Sequence, residues 1–213
     1  MLSAPHAVIV VTLAVAFGAS ACSRAEEPKA PPATAESPAT APPDERVVGP
    51  LSPDDAKALA TMNDRLKEYL DLHVRLERTL PALPKEATPE QIDRNQRALG
   101  KLVQEARPNA KLGDIFTPEA RPVIVRLLAT IFGGPEGAQL KASIMDENPI
   151  DVKLAVNGRY PDAVPISTIP PQVLQTLPQL TEDLEYRFIG DRLILLDTHA
   201  HIIVDYIEDA LPK

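Results

Sequence analysis

Two histidines stand close together near the C-terminus of this 213-residue chain, in Asp197-Thr198-His199-Ala200-His201. Histidines two apart on a strand share a face, so both imidazoles can reach one metal ion. The apolar runs on either side put His199 in a turn, so a solvated turn is the expectation. A two-histidine surface metal site using His199 and His201 is the alternative. His73 lies on an apolar helical stripe. Its expected role is a core or boundary histidine bonded to a neighbour, with a ligand or proton switch as the competing role. Asp146-Glu147 and Glu182-Asp183 are acidic pairs with no adjacent acid–base partner, and read as solvated loops. Gly133-Gly134-Pro135-Glu136-Gly137 lacks the Lys-Ser/Thr of a phosphate loop, and there is no G-x-S-x-G nucleophile elbow. No catalytic residue is assigned, and no cofactor is expected.

The remaining chemistry belongs to Cys22, the only cysteine. A lone cysteine excludes a disulfide framework and a cysteine-based zinc site. It follows an uncharged apolar run, Ala7 to Ala21, that is short of the roughly 20 residues needed to span a bilayer. That run fits a signal-peptide core, and the small residues Ala19-Ser20-Ala21 suit cleavage. The segment resembles a bacterial lipobox, with Cys22 acylated as the mature N-terminus. It departs from that pattern in having Ala19 where Leu is usual and no Lys or Arg in Met1 to His6. The resemblance implies a lipid anchor, in the outer membrane because Ser23 rather than Asp follows the cysteine. Ordinary secretion after Ala21 is the alternative.

Residues 22–50 are Pro-, Ala- and Glu-rich without apolar periodicity. Such a segment cannot bury enough surface to offset its ordering entropy, so a disordered tether is expected. Its reach is about 30–85 Å, from coil to polyproline II. The whole chain is acidic, net −8, with 4% aromatics and no Trp. Neither a phosphate backbone nor stacked bases would find a complementary surface, which argues against nucleic acid.

The folded part must position these groups. Ser52-Pro53-Asp54, Thr88-Pro89-Glu90 and Thr117-Pro118-Glu119 each put a hydroxyl at the N-cap, Pro at N1 and a carboxylate at the positive end of the dipole. A first helix is predicted from Pro53 to Leu80, with Leu59, Met62, Leu66, Tyr69, His73 and Leu76 on one stripe. A second is predicted from Pro89 to Arg107, antiparallel to it. A third runs from Pro118 to Phe132, its first turn disturbed by Pro122. Past Gly137, short extended pieces are predicted: Val152-Leu154-Val156 before an Asn157-Gly158 turn, and Ile166 to Ile169. A short helix follows around Val173. Glu185–Ile189 and Arg192–Asp197 flank Gly190-Asp191, a type II′ hairpin loop that pairs Phe188 with Leu193 and Tyr186 with Leu195. Ile202–Ile207 adds a third strand, with Ile202, Val204 and Tyr206 on the same face. The fold class is α+β: a helical region over 51–134, and an α+β region over 135–213 ending in an antiparallel β-meander with helices on its apolar face.

Val164-Pro165, Pro170-Pro171-x-Val173, Tyr186-Arg187, Gly190-Asp191 and Ile203-Val204-Asp205 resemble the C-terminal module of small exported proteobacterial proteins. That family is itself similar to the periplasmic nickel–cobalt homeostasis proteins. The resemblance covers roughly 45 residues and departs at Thr198–His201. It implies an envelope location and the β module, and transfers no catalytic residue. The His-x-His strand of metal-dependent amidohydrolases resembles His199-Ala200-His201, but those enzymes place it near the start of a barrel of about 250 residues. Here only a dozen residues follow His201.

The expected function is that of a non-enzymatic envelope lipoprotein, a tethered domain that binds or organises a protein partner. The alternative is a periplasmic metal- or small-ligand-binding module, and the remote one a hydrolase. An apolar first-helix stripe left open would favour the partner. A polar cleft at His199 and His201 would favour the ligand. A deep pocket with a paired acid and base would favour the enzyme.

Overall fold

The computed structural model describes residues 51–147, 152–165 and 169–213. Cys22, the segments expected to be a leader and a tether, and most of the strand expected over Ile166–Ile169 lie outside the described residues. Helix α1 (Pro53–Glu77) starts as its signature dictates, Ser52 Oγ accepting the Asp55 amide at 3.1 Å. Its stripe of Leu59, Met62, Leu66, Tyr69 and His73 is buried inside the domain, so the face that could have served a partner is already covered. The helix stops at Glu77, short of Leu80. The amides of Thr79 and Leu80 turn to the carbonyls of Leu76 and Glu77, tightening the chain before Pro81. In α2 (Pro89–Ala106) Thr88 and Gln91 form a reciprocal capping box.

Helix α3 (Ala120–Phe132) begins two residues later than predicted. Its N-cap is Glu119, without a side-chain cap bond, and Thr117 Oγ1 instead takes the Ala120 amide at 3.2 Å across the preceding turn. Pro122 falls in the first turn, where an N–H has no intrahelical partner, so it costs no hydrogen bond. Helix α4 (Gly137–Glu147) is not expected from the sequence, since the pattern past Gly137 predicts extended pieces and names none before Val152. Its apolar signal is thin, Leu140 and Ile144 one turn apart, and both pack on the core. Helix α5 (Pro171–Thr176) is the short helix expected around Val173.

Strands β1 (Leu184–Ile189), β2 (Arg192–Asp197) and β3 (Ile202–Ile207) form an antiparallel sheet in that order. Tyr186 opposes Leu195 and Phe188 opposes Leu193, the predicted register. Gly190 takes φ +60° while Asp191 keeps a negative φ, as a II′ turn requires. The β2–β3 ladder has a bulge. Leu195 faces Asp205 but Leu196 faces Ile203, leaving Val204 unmatched. One inserted residue exchanges faces. Tyr206 therefore joins Ile194, Leu196 and Ile203, not Ile202 and Val204 as expected.

Both sheet faces are buried, not one. The first packs on α1, α2 and α3 in a core that spans the helical and α+β regions. The second is covered by Leu154, Tyr160 and Val164. The strand expected over Val152–Val156 is absent; that run instead ends in a turn, with Asn157 at φ +59°. From there Asn157 and Tyr160 donate to the carbonyls of Ile203 and His201, and Ile203 donates to Gly158. Buried Asp205 accepts the amides of Gly113, Ile115 and Phe116 at 2.8–3.0 Å, fixing the α2–α3 connection against the sheet. No helix among the described residues is long and apolar enough to cross a membrane.

Candidate metal centre

Asp197, the last residue of β2, is fully buried. A carboxylate in that position needs donors, and three reach it. Its Oδ2 accepts the Tyr69 hydroxyl and His73 Nδ1, each at 2.6 Å, and its Oδ1 accepts the Ala200 amide at 2.7 Å. Tyr69 and His73 are four residues apart on α1, so one helical face presents both to one carboxylate. A carboxylate only accepts, so Nδ1 of His73 carries the proton. Burial, then the Asp197 charge, pushes the Tyr69 phenol well above its ordinary pKa, keeping it a donor. Burial works against the charged form of His73, but the hydrogen bond to Asp197 and the charges of Asp197, Asp183 and Glu77 outweigh it and hold the pKa above the usual imidazole value.

The other nitrogen of His73, Nε2, is buried and has no hydrogen-bond partner among the described residues. Glu77 Oε2 lies 3.7 Å away, beyond hydrogen-bond reach. Glu77 Oε1 accepts from His199 Nδ1 at 2.9 Å, and the two imidazole rings stand 5.7 Å apart. One ligand atom from each of His73, Glu77 and His199 falls within 4.8 Å of the others. His73 is sealed inside while Glu77 and His199 are about half exposed, so the group opens to solvent on one side. Two imidazoles and a carboxylate are the donor set of a borderline divalent ion. The carboxylate behind His73 Nδ1 orients the ring and raises its basicity, as outer-shell partners of ligand histidines do.

His199 occupies a turn, Thr198–His201, as the strand runs implied. That turn is seated by Gly100 of α2, where an added Cβ would sit 3.1 Å from the Ala200 carbonyl. His201 takes φ +52° and faces another way, edge-on to Tyr160 and 3.8 Å from Asp162. Burial and the Arg159 charge depress its pKa. The structure therefore joins His199 to His73 and Glu77, and His201 to Tyr160 and Asp162. Asp197, Glu77 and Tyr69 carried no assignment from sequence, although His73-x-x-x-Glu77 has ligand spacing on a helix. An open cavity of about 640 Å³ is lined in part by Tyr69, and four of its charged residues pair as Arg65–Glu68 and Arg107–Asp114. Comparison with protein-family models, curated proteins and solved structures found no match.

Proposed function

We propose that this chain is a lipid-anchored cell-envelope protein whose folded domain binds a divalent transition-metal ion through His73, Glu77 and His199. One observation carries the metal reading. His73 Nε2 is buried without a hydrogen-bond partner, beside a carboxylate and a second imidazole. An orphaned buried nitrogen costs about 1–3 kcal/mol. With the Nδ1 proton committed to Asp197, the Nε2 lone pair facing the Glu77 carboxylate calls for a proton, a bridging water or a metal ion between them, and the adjacent His199 imidazole favours the metal. The anchoring half of the reading rests on Cys22 and the tether in sequence.

Calorimetric titration of the chain carrying Cys22→Ser with zinc, cobalt and nickel tests the site. Binding in the micromolar range or tighter is expected, and should be lost in His199→Ala and Glu77→Gln. Both residues are half exposed, so both variants should fold, which far-UV circular dichroism checks. No heat with any of the three ions would overturn the metal reading. For the anchor, the unsubstituted chain should incorporate labelled palmitate and sediment with membranes, and Cys22→Ser should do neither.

A further inference from the structure

We propose that Asp183 is a fourth ligand, so that the ion is enclosed by His73, Glu77, Asp183 and His199 with no position left for water; this rests on the metal reading above. The Asp183 carboxylate lies 3.7 Å from His199 Nδ1 and is about one-fifth exposed. It is held there by backbone. The Asp183 carbonyl accepts both the amide and the hydroxyl of Thr198, at 3.0 and 3.2 Å, and Leu184 after it pairs with Asp197. The start of β1 and the end of β2 thus present Asp183 and His199 side by side, facing the end of α1.

Ligand spacing defines the three-residue group and places Asp183 next to one of its members. Bonds of 2.0–2.2 Å in a tetrahedral zinc site put neighbouring donor atoms about 3.3 Å apart. The spacings here are 2.9 Å from Glu77 Oε1 to His199 Nδ1, 3.7 Å from Glu77 Oε2 to His73 Nε2 and 3.7 Å from Asp183 Oδ1 to His199 Nδ1. The atoms that all lie within 4.8 Å of one another are those of His73, Glu77 and His199, with Asp183 beside that group. Each of the three spacings differs from the ideal by about 0.4 Å; closing the fourth position also requires the Asp183 carboxylate to swing from His199 toward His73 and Glu77. Charge agrees as well. Two neutral imidazoles and two carboxylates supply the two negative charges that cancel a divalent cation. With nitrogen and oxygen donors only, copper(I) and other thiolate-seeking ions are disfavoured, while two imidazoles disfavour calcium and magnesium. Tetrahedral closure selects zinc or cobalt(II) over the square-planar preference of copper(II). A catalytic ion keeps an open position for water or substrate, whereas a fourth protein ligand removes it. The closed site holds its ion and does not activate water on it.

Cobalt(II) reports both occupancy and coordination number. It would be titrated into the chain carrying Cys22→Ser, so that no thiol contributes, and followed by equilibrium dialysis and visible absorption. The expected result is stoichiometric uptake with the strong visible bands of four-coordinate cobalt. In an added Asp183→Asn variant, cobalt should still bind but about 10–100-fold more weakly, with bands that collapse as water enters. Unchanged affinity and spectrum in Asp183→Asn would overturn the fourth-ligand proposal and leave the three-residue site standing. Weak six-coordinate bands before the Asp183 change would overturn it too. No cobalt uptake at all would overturn both readings together.

Discussion

Asp197 is where residue-scale energetics concentrate. Its carboxylate collects Tyr69, His73 and the Ala200 amide, so Asp197→Ala strands three buried donors. Removing one partner of a buried charged network costs about 3–5 kcal/mol, and urea denaturation should read a loss of that order. The same helix face explains what sequence disclosed and what it hid. His73 on the stripe was legible as a buried, bonded histidine because its position in the 3–4 spacing fixed its burial. Its partner was not, since Asp197 ends an apolar run 124 positions away and nothing local distinguishes a buried strand-end aspartate from a turn residue. Likewise, His199 and His201 share a motif but not an environment, because the positive φ at His201 turns it toward Tyr160. Asp205 makes a second residue-scale case. Burial raises its pKa against the pull of four backbone amides. With the folded pKa above the unfolded 3.8, the folded state holds the proton longer. Stability from this group is present below pH 3.8 and declines as pH rises through the folded pKa. Urea titrations across that window should show the advantage of wild type over Asp205→Asn shrinking with rising pH.

At the scale of elements, the cap signatures were legible because hydroxyl, Pro and acid act within one turn of chain, and all three helices so marked form. Thr88→Ala breaks a reciprocal capping box and should lower stability by about 0.5–2 kcal/mol in a thermal melt. What escaped sequence was long-range. The bulge at Leu195/Leu196 has no marker glycine, yet it reassigns Tyr206. Helix α4 has only three inward apolar residues, Leu140, Ile144 and Met145, in its last two turns, too few for a period to emerge. The seat of the His199 turn depends on α2 through Gly100. Ala at that position returns about 1 kcal/mol of helix propensity. It also presses a methyl group on the Ala200 carbonyl and the Ile202 side chain, and overpacking costs about 1–3 kcal/mol. The net effect of Gly100→Ala should be a small loss of stability with weaker metal binding, read by calorimetry.

For the whole molecule, the proposed ligands come from the end of α1, the start of β1 and the turn after β2, so one ion would tie elements far apart in sequence. Binding only to the folded state stabilises by about 2.7 kcal/mol at a free metal concentration 100 times Kd. For a domain of this size that is roughly a 5–10 °C rise in Tm. Differential scanning fluorimetry with zinc should record it, and His199→Ala should abolish it.

The stretch from Asn157 to Tyr160 has one more effect. By trading amides and carbonyls with Ile203 and His201 along the outer side of β3, it blunts what would otherwise be a bare sheet edge. Unpaired strand edges recruit other chains. A chain with this cover removed would carry an open β3 and lose the lid over Ile194, Leu196 and Ile203. It should self-associate strand to strand. The irregular loop therefore closes the β3 edge of the sheet through hydrogen bonds, without being a strand.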